Sequence, residues 1–142
     1  MPFELRDHTA DVAVEATGPT LGAAFASVAD GMAAAMCEEV PATGGERFEV
    51  AVEAESRESL LFDYLDELIY ERDVRSVLPV DNEATVTAPD ADGPGSAWRC
   101  AGSYRGVPLS AVVARDLKAV TYSEMDLSER AEGWRAYVVF DV

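Results

Sequence analysis

The sequence predicts an α+β fold, in which a mixed, mainly antiparallel sheet carries two amphipathic helices packed on it. Several short segments alternate apolar and polar residues, as half-buried strands do. Two longer segments place apolar residues three and four positions apart, as amphipathic helices do. These segments do not follow a regular strand–helix–strand order, which argues against an all-parallel sheet.

The N-terminal part of the chain predicts two strands and a helix. Phe3–Arg6 and Val12–Ala16 alternate as strands, and the polar segment His8–Asp11 joins them. Thr20 follows a Gly-Pro break and is placed to cap a first helix that ends at about Glu38.

A third strand and a second helix come next. The strand covers Phe48–Ala54, and Ser56 is placed to cap a helix over about Arg57–Arg72. Asp63 and Glu67 share a helix face at i, i+4 spacing, as a metal or docking patch would require. In so acidic a chain, a solvated face is the favoured interpretation. The predicted solvated face carries Asp63, Asp66, Glu67 and Glu71.

The second half of the chain predicts strands alone. They lie near Glu83–Ala88, through Trp98–Tyr104, and over Leu117–Met125 and Trp134–Phe140. A turn-like stretch, Ser128–Gly133, separates the last two.

Length and composition predict one domain covering residues 1–142. No stretch approaches the roughly 20 apolar residues that a membrane helix needs, and the N-terminal residues show no signal-peptide pattern. We therefore expect a cytoplasmic protein with no membrane partner. Cys37 and Cys100 are the only cysteines, so we expect buried packing thiols and neither a zinc site nor a disulfide framework.

The chain carries 11 Lys and Arg against 27 Asp and Glu, which gives a net charge of −16. Direct RNA binding by a broad surface is disfavoured, because neutralising phosphates requires clustered Lys and Arg. The acids are spread along the whole chain, and Lys118 is the only lysine. Adaptation of the surface to high salt is therefore favoured over an acidic face shaped for a basic partner.

Two aspartates stand at predicted strand ends. Asp11 precedes the second strand, and Asp141 follows the last strand, directly before Val142. Hard cations such as Ca²⁺ and Mg²⁺ bind several oxygen ligands, and a terminal carboxylate at Val142 would supply a further charged group. Asp11, Asp141 and Val142 are therefore candidate ligands of a divalent metal.

Four segments carry a likeness to a known family. They are HTADVAVEATGPTLGAAFASVADGM (His8–Met32), ESLLFDYLDELIY (Glu58–Tyr70), LKAVTYSEMD (Leu117–Asp126) and WRAYVVFDV (Trp134–Val142). In this order and spacing they resemble the archease family, accessory proteins of the GTP-dependent RNA-splicing ligase RtcB.

The resemblance implies an α+β fold of the strand–helix–strand–strand kind and a Ca²⁺-type site with ligands at Asp11, Asp141 and Val142. It also implies an activator and not an enzyme. Archease-like proteins promote guanylylation of the ligase in tRNA splicing, support its multiple turnover and broaden its nucleotide use. An RtcB-type ligase is then the expected partner, and RNA is contacted only through it.

One departure from the family concerns histidine. The family often has histidine where this chain has Ser123, so a role for that side chain cannot be transferred. His8 is the only histidine, and we expect it to shape the turn that presents Asp11, with metal ligation or a partner contact as the lesser alternative. Two rival functions stay open: a stand-alone metal-dependent phosphoesterase and a metal-independent adaptor or chaperone-like binding module.

Overall fold

The computed structural model describes residues 3–7, 11–90 and 97–142. The described residues form strands and helices in this order: β1 (Phe3–Asp7), β2 (Asp11–Gly18), α1 (Leu21–Met36), β3 (Glu46–Ala54), α2 (Arg57–Arg75), β4 (Val77–Thr87), β5 (Trp98–Pro108), a 3-10 turn (Leu109–Ala111), β6 (Ala119–Arg130) and β7 (Gly133–Asp141).

The strands form two antiparallel sheets. One has four strands in the order β1-β2-β7-β6, and the other has three in the order β3-β5-β4. The predicted α+β class is confirmed, and the strands divide between two sheets where one was expected. Each helix contacts strands of both sheets, so the helices join the sheets into one structure.

Both predicted helix starts are confirmed by their hydrogen bonds. The Thr20 hydroxyl accepts a hydrogen bond from the Ala23 amide at 3.1 Å. Ser56 and Ser59 form a reciprocal capping box, in which each side chain accepts from the other residue's amide. These side chains satisfy amides that the first helical turn leaves without partners.

The buried core lies where the helices meet the sheets. Helix α1 is buried around most of its circumference, because it contacts β2 of the four-stranded sheet and β4 of the three-stranded sheet. The largest fully buried side chains include Phe25, Met32, Tyr64, Tyr104 and Phe140. Among the described residues, no helix has the length and hydropathy that a membrane span requires.

Strand β4 begins at Val77, six residues before the predicted start. Pro79 and Asp81 obscured it in the sequence, since both residues are typical of breaks. The structure accommodates them with a bulge between Val80 and Glu83, where Asp81 takes a left-handed φ of 48°.

The last hairpin is tighter than predicted. Strand β6 begins at Ala119 and continues to Arg130, which pairs with Gly133. The predicted turn over Ser128–Gly133 was therefore too long.

Candidate functional site

The register of the four-stranded sheet brings two of the three candidate metal ligands together. Asp11 is the first residue of β2, and Asp141 is the last residue of β7. They are direct cross-strand partners, so their side chains leave the same face of the sheet. Cβ atoms of such pairs lie roughly 4.5–5.5 Å apart. Two carboxylates thus converge at one end of the central strand pair β2–β7.

Without a cation between the two carboxylates this arrangement is unfavourable, because like charges directly opposite each other destabilise a strand pair. Asp141 is exposed and Asp11 is partly buried. A hard cation would turn the repulsion into shared coordination, since oxygen donors are what Ca²⁺ prefers. The donor chemistry of the pair therefore fits the ion that the sequence resemblance implies.

Two aspartates do not complete a calcium site. Within the described ranges, no group of three or more His, Cys, Asp or Glu side chains could hold a metal ion. The carboxylate of Val142, whose side chain is 41% exposed, is the further donor that the sequence suggested. His8 lies outside the described residues. Ligation by these groups stays a prediction.

The second neighbour of Asp141 is the start of β6. Ala119 pairs with Asp141 on the side opposite to Asp11, and the Lys118 amide donates to the Asp141 carbonyl at 2.9 Å. Asp141 is therefore fixed at the backbone from both sides, and within the described part of the chain its carboxylate has no hydrogen bond or ion pair.

Arg72 holds the segment that leads into this contact. Its side chain is 8% exposed, and Nη1 donates to the Leu117 carbonyl at 2.9 Å. Nη2 also pairs with Asp73 at 2.9 Å and with Asp116 at 3.4 Å. This role could not be predicted, because Arg72 stands at the predicted helix end, where an exposed basic residue is ordinary.

Glu71 corrects the predicted solvated face of α2. Asp66 is exposed and Asp63 and Glu67 are partly exposed, but Glu71 is only 7% exposed. Its Oε1 accepts from the Tyr104 hydroxyl at 2.9 Å and from Arg75 Nε at 3.1 Å. Burial, and then the hydrogen bond to Glu71, raise the pKa of Tyr104. The network joins α2 to β5 and is structural.

The two cysteines confirm the predicted packing role. Both thiols are free and buried. Burial raises the pKa of Cys100 to about 12, so the reactive thiolate is negligible at neutral pH.

Sequence reasoning missed a stacked pair of aromatic rings, of which Tyr122 is exposed and Phe62 is partly buried against the core. Phe62 of α2 stacks on Tyr122 of β6, with ring centroids 4.3 Å apart and planes 10° from parallel. Tyr122 is 54% exposed. The one signal in the sequence was the polar pair Ser123-Glu124, which breaks the alternation of β6.

The sequence profile of the Archease protein family (MTH1598/TM1083) matches residues 3–142. The protein archease of Methanosarcina acetivorans is 31% identical over 140 residues, which covers 99% of this chain and 95% of that protein. The protein archease of Thermococcus kodakarensis is 30% identical over 141 residues, with coverage of 99% and 98%.

Two solved structures have a similar fold. The solution structure of Methanobacterium thermoautotrophicum protein 1598 is similar with a TM-score of 0.79 and 26% identity, covering 99% of both chains. A Thermotoga maritima crystal structure, described as an archease and possible chaperone, has a TM-score of 0.61 and 19% identity, covering 98% of this chain and 96% of that one. The second likeness concerns the fold alone.

Proposed function

The chain belongs to the archease family, and from this membership we propose that it is an accessory protein of a GTP-dependent, RtcB-type RNA ligase in tRNA splicing. In this role it promotes guanylylation of the ligase, sustains its multiple turnover and broadens the nucleotides that it accepts. The joining of RNA ends is then the chemistry of the ligase.

The observation in this molecule that supports the proposal is the cross-strand pairing of Asp11 with Asp141. Asp11, Asp141 and the carboxylate of Val142 would hold Ca²⁺ at this end of the strand pair β2–β7. When bound, the ion supplies positive charge that neutralises nucleotide phosphates. The protein's own contribution is to present the carboxylates on two paired strands, with Asp141 fixed by the Lys118 amide.

The charge of the chain supports an indirect contact with RNA. A net charge of −16 repels a phosphate backbone. RNA is therefore held by the ligase, and the accessory protein meets the enzyme and its nucleotide.

The test is multiple-turnover ligation by the RtcB-type ligase of the same organism, with the wild-type chain, Asp11→Ala, and a chain lacking Val142. We expect both variants to lose most of the stimulation. Glu49→Gln, which removes an exposed strand carboxylate opposite Ser103, is the matched control and should stimulate normally. Calcium titration calorimetry supplies a readout that does not depend on the ligase.

The rival functions give different results in the same experiments. If Asp11→Ala stimulates as well as the wild type, the metal account fails and a metal-independent adaptor is favoured. If the purified chain hydrolyses a phosphate ester without the ligase, and Asp11→Ala does not, a stand-alone phosphoesterase replaces the accessory role.

A further inference from the structure

The Phe62–Tyr122 ring stack, with Tyr122 exposed and Phe62 partly buried, lies beside acidic residues of α2. Asp63 follows Phe62 on α2, and Asp66 and Glu67 lie one turn further along the same helix. We name Phe62, Asp63, Asp66, Glu67 and Tyr122 the acidic aromatic patch. Burial raises the pKa of Glu67, with further contributions from the nearby carboxylates of Glu71 and Asp66.

A wide bulge in β6 places Tyr122 in this position. Thr121 pairs with Val139, whereas the next paired residue, Asp126, lies opposite Tyr137. Residues 122–125 are therefore accommodated opposite a single residue of β7. The Thr121 hydroxyl stabilises the bulge by donating to the Val139 carbonyl at 2.9 Å and accepting from the Ser123 amide at 3.2 Å.

The bulge also contains strained backbone. Glu124 has a φ of 57°, in the left-handed region that costs a residue with a side chain about 1–2 kcal/mol. Bulges are common at sheet edges, where β6 lies, and next to functional sites, where they re-aim a side chain; strained residues cluster at ligand sites as well.

The same chain shows elsewhere how it uses an aromatic ring beside a carboxylate. Arg75 lies over the Phe48 ring at 4.1 Å and pairs with Glu71 at 3.1 Å. Arg135 lies over the Tyr137 ring at 5.6 Å and pairs with Asp126 at 3.0 Å. In both places a guanidinium completes a site formed by a ring and an acid.

The acidic aromatic patch has the ring and the acid but lacks the guanidinium. In the part of the chain that the structure describes, the arginine–ring contacts involve Phe48, Trp98, Trp134 and Tyr137, and not the Phe62–Tyr122 stack. The ion pairs of the described residues likewise do not use Asp63, Asp66 or Glu67.

We propose that the acidic aromatic patch binds an arginine presented by the ligase, with its guanidinium over the Tyr122 ring and paired with Asp63. The identity of the partner rests on the proposed function, whereas the chemistry of the contact does not. A guanidinium supplies both a flat cation for the ring and donors for the carboxylate. Such contacts act within a few ångströms. High salt therefore weakens them less than it weakens long-range electrostatic attraction.

The first experiment tests the surface without the ligase. The ¹⁵N-labelled chain is titrated with the peptide Gly-Arg-Gly-Arg-Gly and, as the neutral control, with the same peptide carrying citrulline for arginine. We expect amide shifts at residues 62–67 and 121–125 with the arginine peptide alone. Tyr122→Leu should weaken binding about fivefold, as expected for loss of an exposed cation–π contact.

Matched variants separate the patch from general acidity. Asp63→Asn should weaken the peptide complex, while Glu49→Gln, which removes an exposed carboxylate of the three-stranded sheet, should leave it unchanged. Shifts that are equal with the citrulline peptide, or that are spread over the whole acidic surface, overturn the proposal.

The second experiment measures affinity for the ligase by biolayer interferometry. Tyr122→Leu should lower affinity about tenfold or more, because cation–π contacts strengthen when desolvated, and Glu49→Gln should not. If Tyr122→Leu binds the ligase with full affinity, the proposal about the patch is overturned. The proposed function still stands in that case, provided that the wild type stimulates the ligase normally. If the wild type neither binds nor stimulates the ligase, the proposed function fails, and the peptide titration decides whether the patch recognises arginine.

Discussion

Replacing Asp141 by Asn should change stability in opposite directions with and without Ca²⁺. The substitution keeps the size of the side chain but removes one of the two charges that the strand register places opposite each other. Without metal it relieves repulsion. With metal it removes a charged ligand. No other interpretation of Asp141 predicts such a reversal.

The magnitude follows from the register. Two unit charges about 5 Å apart in a solvent-like dielectric repel by about 0.8 kcal/mol, and salt reduces this value. Asp141→Asn should therefore stabilise the metal-free chain by up to about 0.8 kcal/mol. A ligand at 100 times its Kd stabilises the folded wild type by about 2.7 kcal/mol. In Ca²⁺ the wild type should then exceed the variant by about 2 kcal/mol.

Thermal unfolding followed by circular dichroism measures both conditions. Samples at one fixed KCl concentration receive either EDTA or Ca²⁺, and about 4 °C in Tm per kcal/mol is expected for a chain of this size. The wild type should melt lower than Asp141→Asn in EDTA and about 8 °C higher in saturating Ca²⁺. Glu49→Gln should track the wild type in both conditions. If the order of the two melting temperatures is the same with and without Ca²⁺, the carboxylate pair is not a metal site.

Three further predictions concern stability. Tyr104→Phe removes the buried hydrogen bond to Glu71 and should lower the free energy of unfolding, measured with urea at neutral pH, by about 1.5–3 kcal/mol. Tyr70→Phe at an exposed site should lower it by under about 0.5 kcal/mol. Equal effects of the two substitutions would contradict the network. Burial raises the pKa of Asp30 above 3.8 despite its hydrogen bonds from Asn82. The folded state therefore binds the proton more tightly than the unfolded state does. The wild type should gain stability relative to Asp30→Asn as pH falls from neutral through the folded-state pKa towards 3.8. A stability difference between the two chains that does not vary with pH would refute this. Finally, Tm should rise between about 0.1 and 1 M KCl, because the Debye length shortens from about 10 to about 3 Å. The shorter screening length relieves the self-repulsion of a chain with a net charge of −16. A Tm that stays flat or falls would remove the argument for salt adaptation.

Local signals in the sequence predicted the helices well. Thr20 and Ser56 cap the helices as predicted, because an N-cap is decided by a hydroxyl and the next three residues. Alternation likewise located most strands. The early start of β4 was hidden, since Pro79 and a left-handed Asp81 look like a turn until a bulge accommodates them.

The pairing of strands that are distant along the chain could not be predicted from the sequence. That β2 lies beside β7, and that Asp11 falls opposite Asp141 and not one residue away, depends on how distant strands assemble. A one-residue slip would send the two carboxylates to opposite faces. Burial of Glu71 was hidden for the same reason, because its hydrogen-bond donor Tyr104 lies on a strand far along the chain.

The pairing of β2 with β7 also has a kinetic consequence. Neighbouring strands such as β6 and β7 close short loops, whereas β2 and β7 must join opposite ends of the described chain. Long-range pairing is slow because loop closure costs entropy before the contacts form. The Asp11–Asp141 pair is therefore completed late in folding, and during refolding Ca²⁺ uptake should lag behind the return of helical circular dichroism.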